Sequence, residues 1–472
     1  SKATCAPASF ATHRPAYQHA QSGPGKGRSP PLGDYRAVLL AAVEPGTGRV
    51  QALATNRVFS NNTAPNGLNK NPEKKGQKGN YPNTTVPMIT GGPEVPGYQA
   101  GSVFKIFTVT AALENGYPLD YTMNAPAKAV TKYKIPANSP VACNGPYYCP
   151  TNANPSMAGT HNMWSAFGQS VNTFFVPLQE KVGAEKVVDV AKRLGIQFRS
   201  DSDARWAASA NQWGPFTLGV SATTPLDVAN AWATLAADGR FCEPTPVLKI
   251  IDRDGHEVPA GNPKCKDGAV SPEVARGAID AARCPVGDRS SVSKCAGGTA
   301  GDVRRIVARP VAGKTGTTND EMTATMTITT KQLAVSGFIV DPDWPTHQNI
   351  GDHPIINNSV AYTLKAGMEG KPFVEFTPPP STIVNGTQVS IPNVKCATVD
   401  AAKQALSRAG FKPANNNQQV ASECPAGTVA GTNPTGKTAK GSSVEILISN
   451  GSGGASGAPG AGGGGPTPPR RR

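Results

Sequence analysis

Residues 101–107 read GSVFKIF and continue as TVTAALENG, and the fold prediction depends on this segment. The apolar run predicts a helix that packs into the core, and Asn115-Gly116 followed by Pro118 predicts the end of that helix. Ser102 and Lys105 are three residues apart, so their side chains project from one face of the first turn. A lysine held neutral by burial could take the proton of that serine and make its oxygen a nucleophile.

The Ser-x-x-Lys spacing alone does not establish this chemistry. An N-capping serine and a lysine that extends to solvent would give the same pattern. The chain also contains a second match, from Ser291 to Lys294. That match lies in a polar loop with no helix after it, and we therefore do not consider it catalytic.

Two further segments favour the catalytic interpretation of Ser102 and Lys105. Residues 314–318 read KTGTT between strand-like runs, where a lysine, hydroxyl groups and a glycine that permits close backbone approach could hold a carboxylate. An ordinary turn is the alternative. Ser170-Val171-Asn172 begins a helical segment between the two motifs, but residues 60–62 and 209–211 have the same spacing, so only chain order and context select it.

The ordered set GSVFK, SVN and KTGT resembles the motifs of penicillin-binding protein transpeptidases and class A β-lactamases. The segments EPGTGRVQALA, YQAGSVFK to AALENG, TPLDVANAWATLAADGRFCEPTPVLKI and KTGTTND extend the resemblance to class A penicillin-binding proteins over roughly residues 37 to 345. IPNVKCATVDAAKQALSRAGF resembles the opening of a PASTA module. The resemblance implies an α+β serine β-lactamase/transpeptidase-like fold, with an antiparallel sheet flanked by helices, and a small α+β PASTA domain.

The resemblance also implies an activity. It indicates a serine D,D-transpeptidase that cross-links peptidoglycan stem peptides through an acyl-enzyme and is acylated by β-lactams, with no cofactor and no metal. Ser102 would be the nucleophile, Lys105 its base and Ser170 the group that passes the proton on. The residues that would bind the substrate are Asn172, Lys314, Thr315, Gly316 and Thr317.

Three other functions stay open from the sequence. A β-lactamase would need a carboxylate that drives deacylation, usually in a Glu-x-x-Leu-Asn loop, and the sequence has no such string. A D,D-carboxypeptidase differs only in that water, and not an amine, resolves the ester. The third is a non-catalytic peptidoglycan-binding or penicillin-sensing protein in which the PASTA domain does the work.

Shifts in composition divide the chain. We expect an irregular lead-in over residues 1–36, a penicillin-binding transpeptidase domain over 37–376 and a linker over 377–384, in and after FTPPPST. A PASTA domain over 385–450 and a disordered Gly/Pro/Arg tail over 451–472 follow. The small size of the PASTA domain makes a disulfide within it useful.

The net charge and the cysteine spacing narrow the classes of ligand that we expect this chain to bind. The formal charge is +14, but the basic residues are scattered and aromatic residues make up 6%, which disfavours nucleic acid. Nine cysteines without a C-x-x-C pair disfavour zinc and favour disulfides between sequence neighbours in an oxidising compartment. The pairs we expect are Cys143 with Cys149, Cys242 with Cys265, Cys284 with Cys295, and Cys396 with Cys424, which leaves Cys5.

The compartment that we expect for this chain follows from its predicted disulfides. No apolar run in the sequence reaches the roughly 18 residues of a membrane span, and the start SKATCAPASF has no signal-peptide core. We therefore expect an extracytoplasmic domain of a cell-envelope protein whose membrane anchor, and any glycosyltransferase domain, lie outside this chain.

Overall fold

The computed structural model describes residues 30–415 and 419–454. These residues divide into two compact units, with the division after Thr387. Most of the expected lead-in, the expected tail from residue 455 onward, and Cys5 lie outside the described residues.

A five-stranded antiparallel sheet forms the centre of the first unit. Its strands are β1 (Ala37–Val43), β2 (Val50–Thr55), β3 (Ala312–Thr317), β4 (Ala324–Thr329) and β5 (Ala334–Val340). Their order is β3-β4-β5-β1-β2, and every pair is antiparallel. Residues 44–48, EPGTG, join β1 to β2 as a hairpin. The KTGT segment lies in β3, at the edge of the sheet.

The first unit also contains helices that pack on this sheet or on one another. They are α1 (Lys105–Glu114), α2 (Met163–Gln169), α3 (Asn172–Val182), α4 (Ala184–Arg193), α5 (Asp201–Ala208), α6 (Pro225–Ala236), α7 (Pro272–Ala282), α8 (Val303–Val307) and α9 (His353–Gly367). Helix α9 packs Ile356, Val360 and Leu364 into an apolar cluster with strand residues such as Met326 and Ile339. Helix α6 packs against β1 and β5, so the sheet is covered as the resemblance implies.

Helix α1 is central to the helical layer. Nine of its ten residues are buried, and it packs against α3, α4 and α7. Its last residue is Glu114 and its C-cap is Asn115, in agreement with the predicted end. The first turn differs from the prediction, because Gly101–Phe104 is a 3₁₀ turn that leads into the α-helix. Gly101 has a φ of +62°, a conformation that favours glycine, so the chain enters this turn through a bend that a regular α-helix does not contain.

The strand-like run before KTGTT, residues 303–313, is only partly a strand. Its first five residues form α8, and β3 begins at Ala312. Val303 and Val307 are one helical turn apart and both buried in the core cluster, whereas Arg305 is exposed. A four-residue apolar spacing fits a helical face, and it prevailed over the strand propensity of valine and isoleucine.

The last four residues of the expected linker belong to the first unit. Ser381–Val384 forms a short helix, α10. The backbone N–H of Leu119 donates to the carbonyl of Ile383 at 2.9 Å, and that of Asp120 donates to Val384 at 2.9 Å. Val384 is buried. The segment therefore differs from a free linker, because backbone pairing fixes its last residues.

The second unit is a small α+β fold. Its strands are β6 (Gln388–Ser390), β7 (Lys412–Ala414), β8 (Gln419–Val420), β9 (Val429–Asn433), β10 (Lys437–Ala439) and β11 (Ser443–Ser449). β11 pairs with β7, β8 and β9, and β6 pairs with β10. Thr398 is the N-cap of its helix α11 (Val399–Arg408), and the Thr398 hydroxyl accepts from the Ala401 N–H. Leu406 and Phe411 pack into one core with Val444.

Four disulfides form, with the pairing expected from sequence proximity. They are Cys143–Cys149, Cys242–Cys265, Cys284–Cys295 and Cys396–Cys424. Over residues 30–415 and 419–454, no helix combines the length and apolarity of a membrane span. No cluster of three or more metal-ligating side chains occurs in the same residues.

Candidate active site

The Ser102 hydroxyl and the Lys105 amine are in contact at the start of α1. Lys105 Nζ lies 2.9 Å from Ser102 Oγ and 3.0 Å from Ser170 Oγ. It also lies 2.8 Å from the Ser170 carbonyl and 2.6 Å from Asn172 Oδ1. The Lys105 side chain is completely buried. The Ser102-x-x-Lys105 and Ser170-x-Asn172 segments therefore meet at one amine.

The environment of Lys105 favours its uncharged form. Burial, and secondarily the nearby Lys314, hold the pKa of Lys105 well below its usual value. A neutral amine has two N–H donors and one lone pair. Two of its four neighbours, the Ser170 carbonyl and Asn172 Oδ1, can only accept hydrogen bonds. If these take both N–H groups, the lone pair is left for the hydroxyl groups of Ser102 and Ser170.

A residue in the left-handed backbone conformation brings the Ser170-Val171-Asn172 segment to Lys105. Ser170 ends α2 with φ 64° and ψ 40°, and after Val171 the chain continues directly into α3. This reversal places Ser170 and the first residue of α3, Asn172, beside the same amine. Asn172 Nδ2 donates to the Thr151 carbonyl at 2.9 Å, which fixes the amide so that Oδ1 faces Lys105.

Glycines allow β3 to approach the start of α1. A Cβ added to Gly316 would lie 2.1 Å from the Ala100 carbonyl oxygen, and one added to Gly101 would lie 2.7 Å from Thr317 N. Side chains at these positions would therefore push the two segments apart. Ala100 is buried, and its carbonyl accepts from the Thr325 hydroxyl at 2.7 Å.

Lys314 is a second buried amine in the same site. Its Nζ donates to the Thr315 carbonyl at 3.0 Å and lies 5.7 Å from the centre of the Phe167 ring. Burial lowers the pKa of Lys314 to about 7. Among the described residues no carboxylate forms an ion pair with it. An incoming carboxylate would favour the ammonium form, because an opposite charge raises the pKa of an amine.

The threonines of β3 contact two residues, Thr299 and His353, that no sequence pattern identified. Thr299 Oγ1 lies 2.7 Å from Thr315 Oγ1, and His353 Nε2 lies 2.7 Å from Thr317 Oγ1. No local motif marks either residue. The Asp-His-Pro sequence at His353 is a helix-start signal only, and it gave no reason to place a histidine at this site.

The second Ser-x-x-Lys match lies elsewhere. Lys294 forms an ion pair with Asp120 at 2.8 Å, and the Ser291 N–H donates to Asp280 at 2.7 Å. Its lysine is therefore held by a carboxylate, unlike Lys105, and it has no part in the site at α1.

Comparisons with known proteins agree with this geometry. Residues 38–343 match the penicillin binding protein transpeptidase domain, and residues 389–450 match the PASTA domain. Penicillin-binding protein 1A of Mycobacterium tuberculosis is 30% identical over 229 residues, which cover 47% of this chain and 25% of that protein. Penicillin-binding protein 1A of Aquifex aeolicus is 29% identical over 224 residues, which cover 47% and 26%.

A solved structure has the same fold. The PonA1 protein of Mycobacterium tuberculosis in complex with penicillin V superposes with a TM-score of 0.54 at 20% identity, covering 78% of this chain and 85% of that one. The chain spans about a quarter of the length of the curated relatives that it matches. The transpeptidase match covers well over half of the 472 residues. The chain therefore belongs to the penicillin-binding protein transpeptidase family, and a PASTA domain follows its transpeptidase domain.

Proposed function

We propose that this chain is a serine D,D-transpeptidase that cross-links peptidoglycan stem peptides. The observation that carries the proposal is the buried Lys105 amine, 2.9 Å from Ser102 Oγ. A buried amine with a lowered pKa is suited to accept a proton at neutral pH. Such an arrangement is costly in a protein that only binds its ligand, since it buries a cation or a neutralised amine for no gain in affinity.

Acylation begins with proton transfer from Ser102 Oγ to Lys105 Nζ. The oxygen forms a bond to the carbonyl carbon between the last two D-alanines of the stem peptide. The C–N bond then breaks as Lys105 gives this proton to Ser170 Oγ while the Ser170 hydroxyl proton moves to the leaving amine, and D-alanine departs. An amine from a second stem peptide attacks the resulting ester, restores the Ser102 hydroxyl and leaves a new amide cross-link.

The other site residues hold the substrate. Asn172 binds the amide on the acyl side, and Lys314, Thr315 and Thr317 bind the terminal carboxylate, with Gly316 leaving room for it. The backbone N–H groups of Ser102 and Thr317 stabilise the oxyanion, and a donor of this kind contributes about 3 kcal/mol in serine hydrolases.

The proposed setting is the extracytoplasmic face of the cell envelope. Four disulfides are consistent with an oxidising compartment. The full-length protein would be anchored in the membrane, so that the catalytic domain reaches peptidoglycan. The PASTA domain would act as a spacer or docking element on the wall.

β-Lactams should acylate the same serine, because they mimic the terminal D-Ala-D-Ala. Wild-type protein incubated with a fluorescent penicillin, digested and analysed by mass spectrometry should carry the label on the peptide that contains Ser102. The Ser102→Ala variant should carry none. Ser291→Ala, which alters the other Ser-x-x-Lys match, is the matched control and should label normally. An unlabelled wild type, or label that persists in Ser102→Ala, would contradict the proposal.

The fate of the ester separates a transpeptidase from a carboxypeptidase. Labelled stem peptide ending in D-Ala-D-Ala is supplied with and without a second stem peptide that has a free side-chain amine. A cross-linked dimer with release of D-alanine supports transpeptidation. Released D-alanine with only the shortened peptide as product would assign a D,D-carboxypeptidase.

A further inference from the structure

His353 joins the proposed carboxylate site from a different part of the fold. It is the first residue of α9, and its ring is half-buried. Nε2 lies 2.7 Å from Oγ1 of Thr317, the last residue of β3. The mechanism above gives this histidine no role, although it touches a threonine that the mechanism uses.

The charges around the ring relate it to the anion site. Burial lowers the pKa of His353, and the nearby Lys314 lowers it further. Glu321 and Asp352 act in the opposite direction. His353 contacts Thr317, and Lys314 lies three residues earlier in the same strand, β3. The N-terminus of the 15-residue helix α9 adds a positive end at that place.

We propose that His353 is a positioning residue that orients the Thr317 hydroxyl toward the substrate carboxylate. This inference rests on the proposed function. In this proposal the ring carries its hydrogen on Nε2 and donates it to Thr317 Oγ1, 2.7 Å away. The hydroxyl hydrogen of Thr317 then points into the groove, where it donates to a carboxylate oxygen. His353 thereby favours ligands that end in a carboxylate over ligands in which that group is an ester.

The test compares two probes, benzylpenicillin and its methyl ester, on each protein. The second-order rate of Ser102 acylation is measured for both by mass spectrometry, and the ratio of the two rates reports carboxylate preference. In His353→Phe this ratio should fall about tenfold, since a hydrogen bond to a charged group contributes about 1.5 kcal/mol or more. Because both rates come from one sample, any inactive fraction cancels in the ratio.

Rescue and coupling distinguish positioning from a structural role. His353→Gln places an amide N–H near the position of Nε2 and should restore most of the ratio. Asn358→Ala, an exposed position on the same helix, is the control and should keep the wild-type ratio. In Thr317→Val the hydroxyl is gone, so adding His353→Phe should lower the ratio no further.

Three results would overturn the inference. They are an unchanged ratio in His353→Phe, a ratio in His353→Gln as low as that in His353→Phe, and additive losses in the double variant with Thr317→Val. If the wild-type protein is acylated, any of these three results leaves the proposed function intact. A wild type that neither probe acylates would remove the proposed function and this inference with it.

Discussion

Lys105→Met should slow acylation of Ser102 by a fluorescent penicillin roughly 10²- to 10⁴-fold, the usual contribution of a positioned general base. Methionine fills a similar volume but has no lone pair on nitrogen to accept the serine proton. The measurement is the time course of labelling in wild type and variant under identical conditions.

Lys105→Arg is the companion variant. Arginine keeps hydrogen-bond donors that could reach the Ser170 carbonyl and Asn172 Oδ1, but its guanidinium stays protonated. It should therefore be nearly as slow as Lys105→Met. If arginine restored the rate, Lys105 would act by holding its neighbours and not as a base. A Lys105→Met variant that labels like wild type would remove the base from the mechanism altogether.

Lys314→Met should make the protein a weaker acylation target and at the same time a more stable one. Loss of a charged partner for the ligand carboxylate lowers the second-order acylation rate by about 10- to 100-fold. The stability gain arises because a fully buried amine with few partners is replaced by an apolar side chain.

The stability gain should depend on pH. Burial lowers the pKa of folded Lys314 from 10.5 to about 7, so between these values the unfolded chain binds more protons than the folded one, and the free energy of unfolding rises with pH. The penalty from Lys314 is complete below about pH 7 and is gone above the unfolded pKa. The stability difference between Lys314→Met and wild type should therefore be largest at acidic pH and shrink toward pH 10.

Urea denaturation of both proteins at several pH values provides this measurement. Gln332→Ala, in the turn between β4 and β5, is a control for a substitution remote from the site. A stability difference that stayed constant with pH would mean that Lys314 keeps an ordinary pKa in the folded protein. An acylation rate like that of wild type would mean that Lys314 does not bind the carboxylate.

The parts of the site that the sequence predicted are those carried by short segments. Ser102 and Lys105 share a helical turn, and KTGT shares a strand, so a fixed local geometry relates their side chains to the pattern. The order of the motifs then indicated that these segments meet. The observed contacts of Lys105 with Ser170 and Asn172 are consistent with that expectation.

The contacts that the sequence did not predict depend on the tertiary fold. His353 is 36 residues from Thr317, and Thr299 is 16 residues from Thr315. Neither has a motif, because only the packing of α9 on the sheet and the path of the loop after Cys295 bring them to β3. The same reason explains α8, where burial of one apolar face outweighed β propensity.

The pH dependence of Ser102 acylation tests most directly whether Lys105 is an uncharged base. The second-order rate constant for the fluorescent penicillin reports the ionisation of the free enzyme, and with Lys314 nearby its inflections belong to the pair of amines. We predict a rate that rises with pH to a maximum well below 10.5, the ordinary value for lysine, and then falls as Lys314 loses the charge that binds the carboxylate. A rate that is negligible at neutral pH and still rises through 10.5 would show that Lys105 is a cation in the folded protein, and would contradict the account.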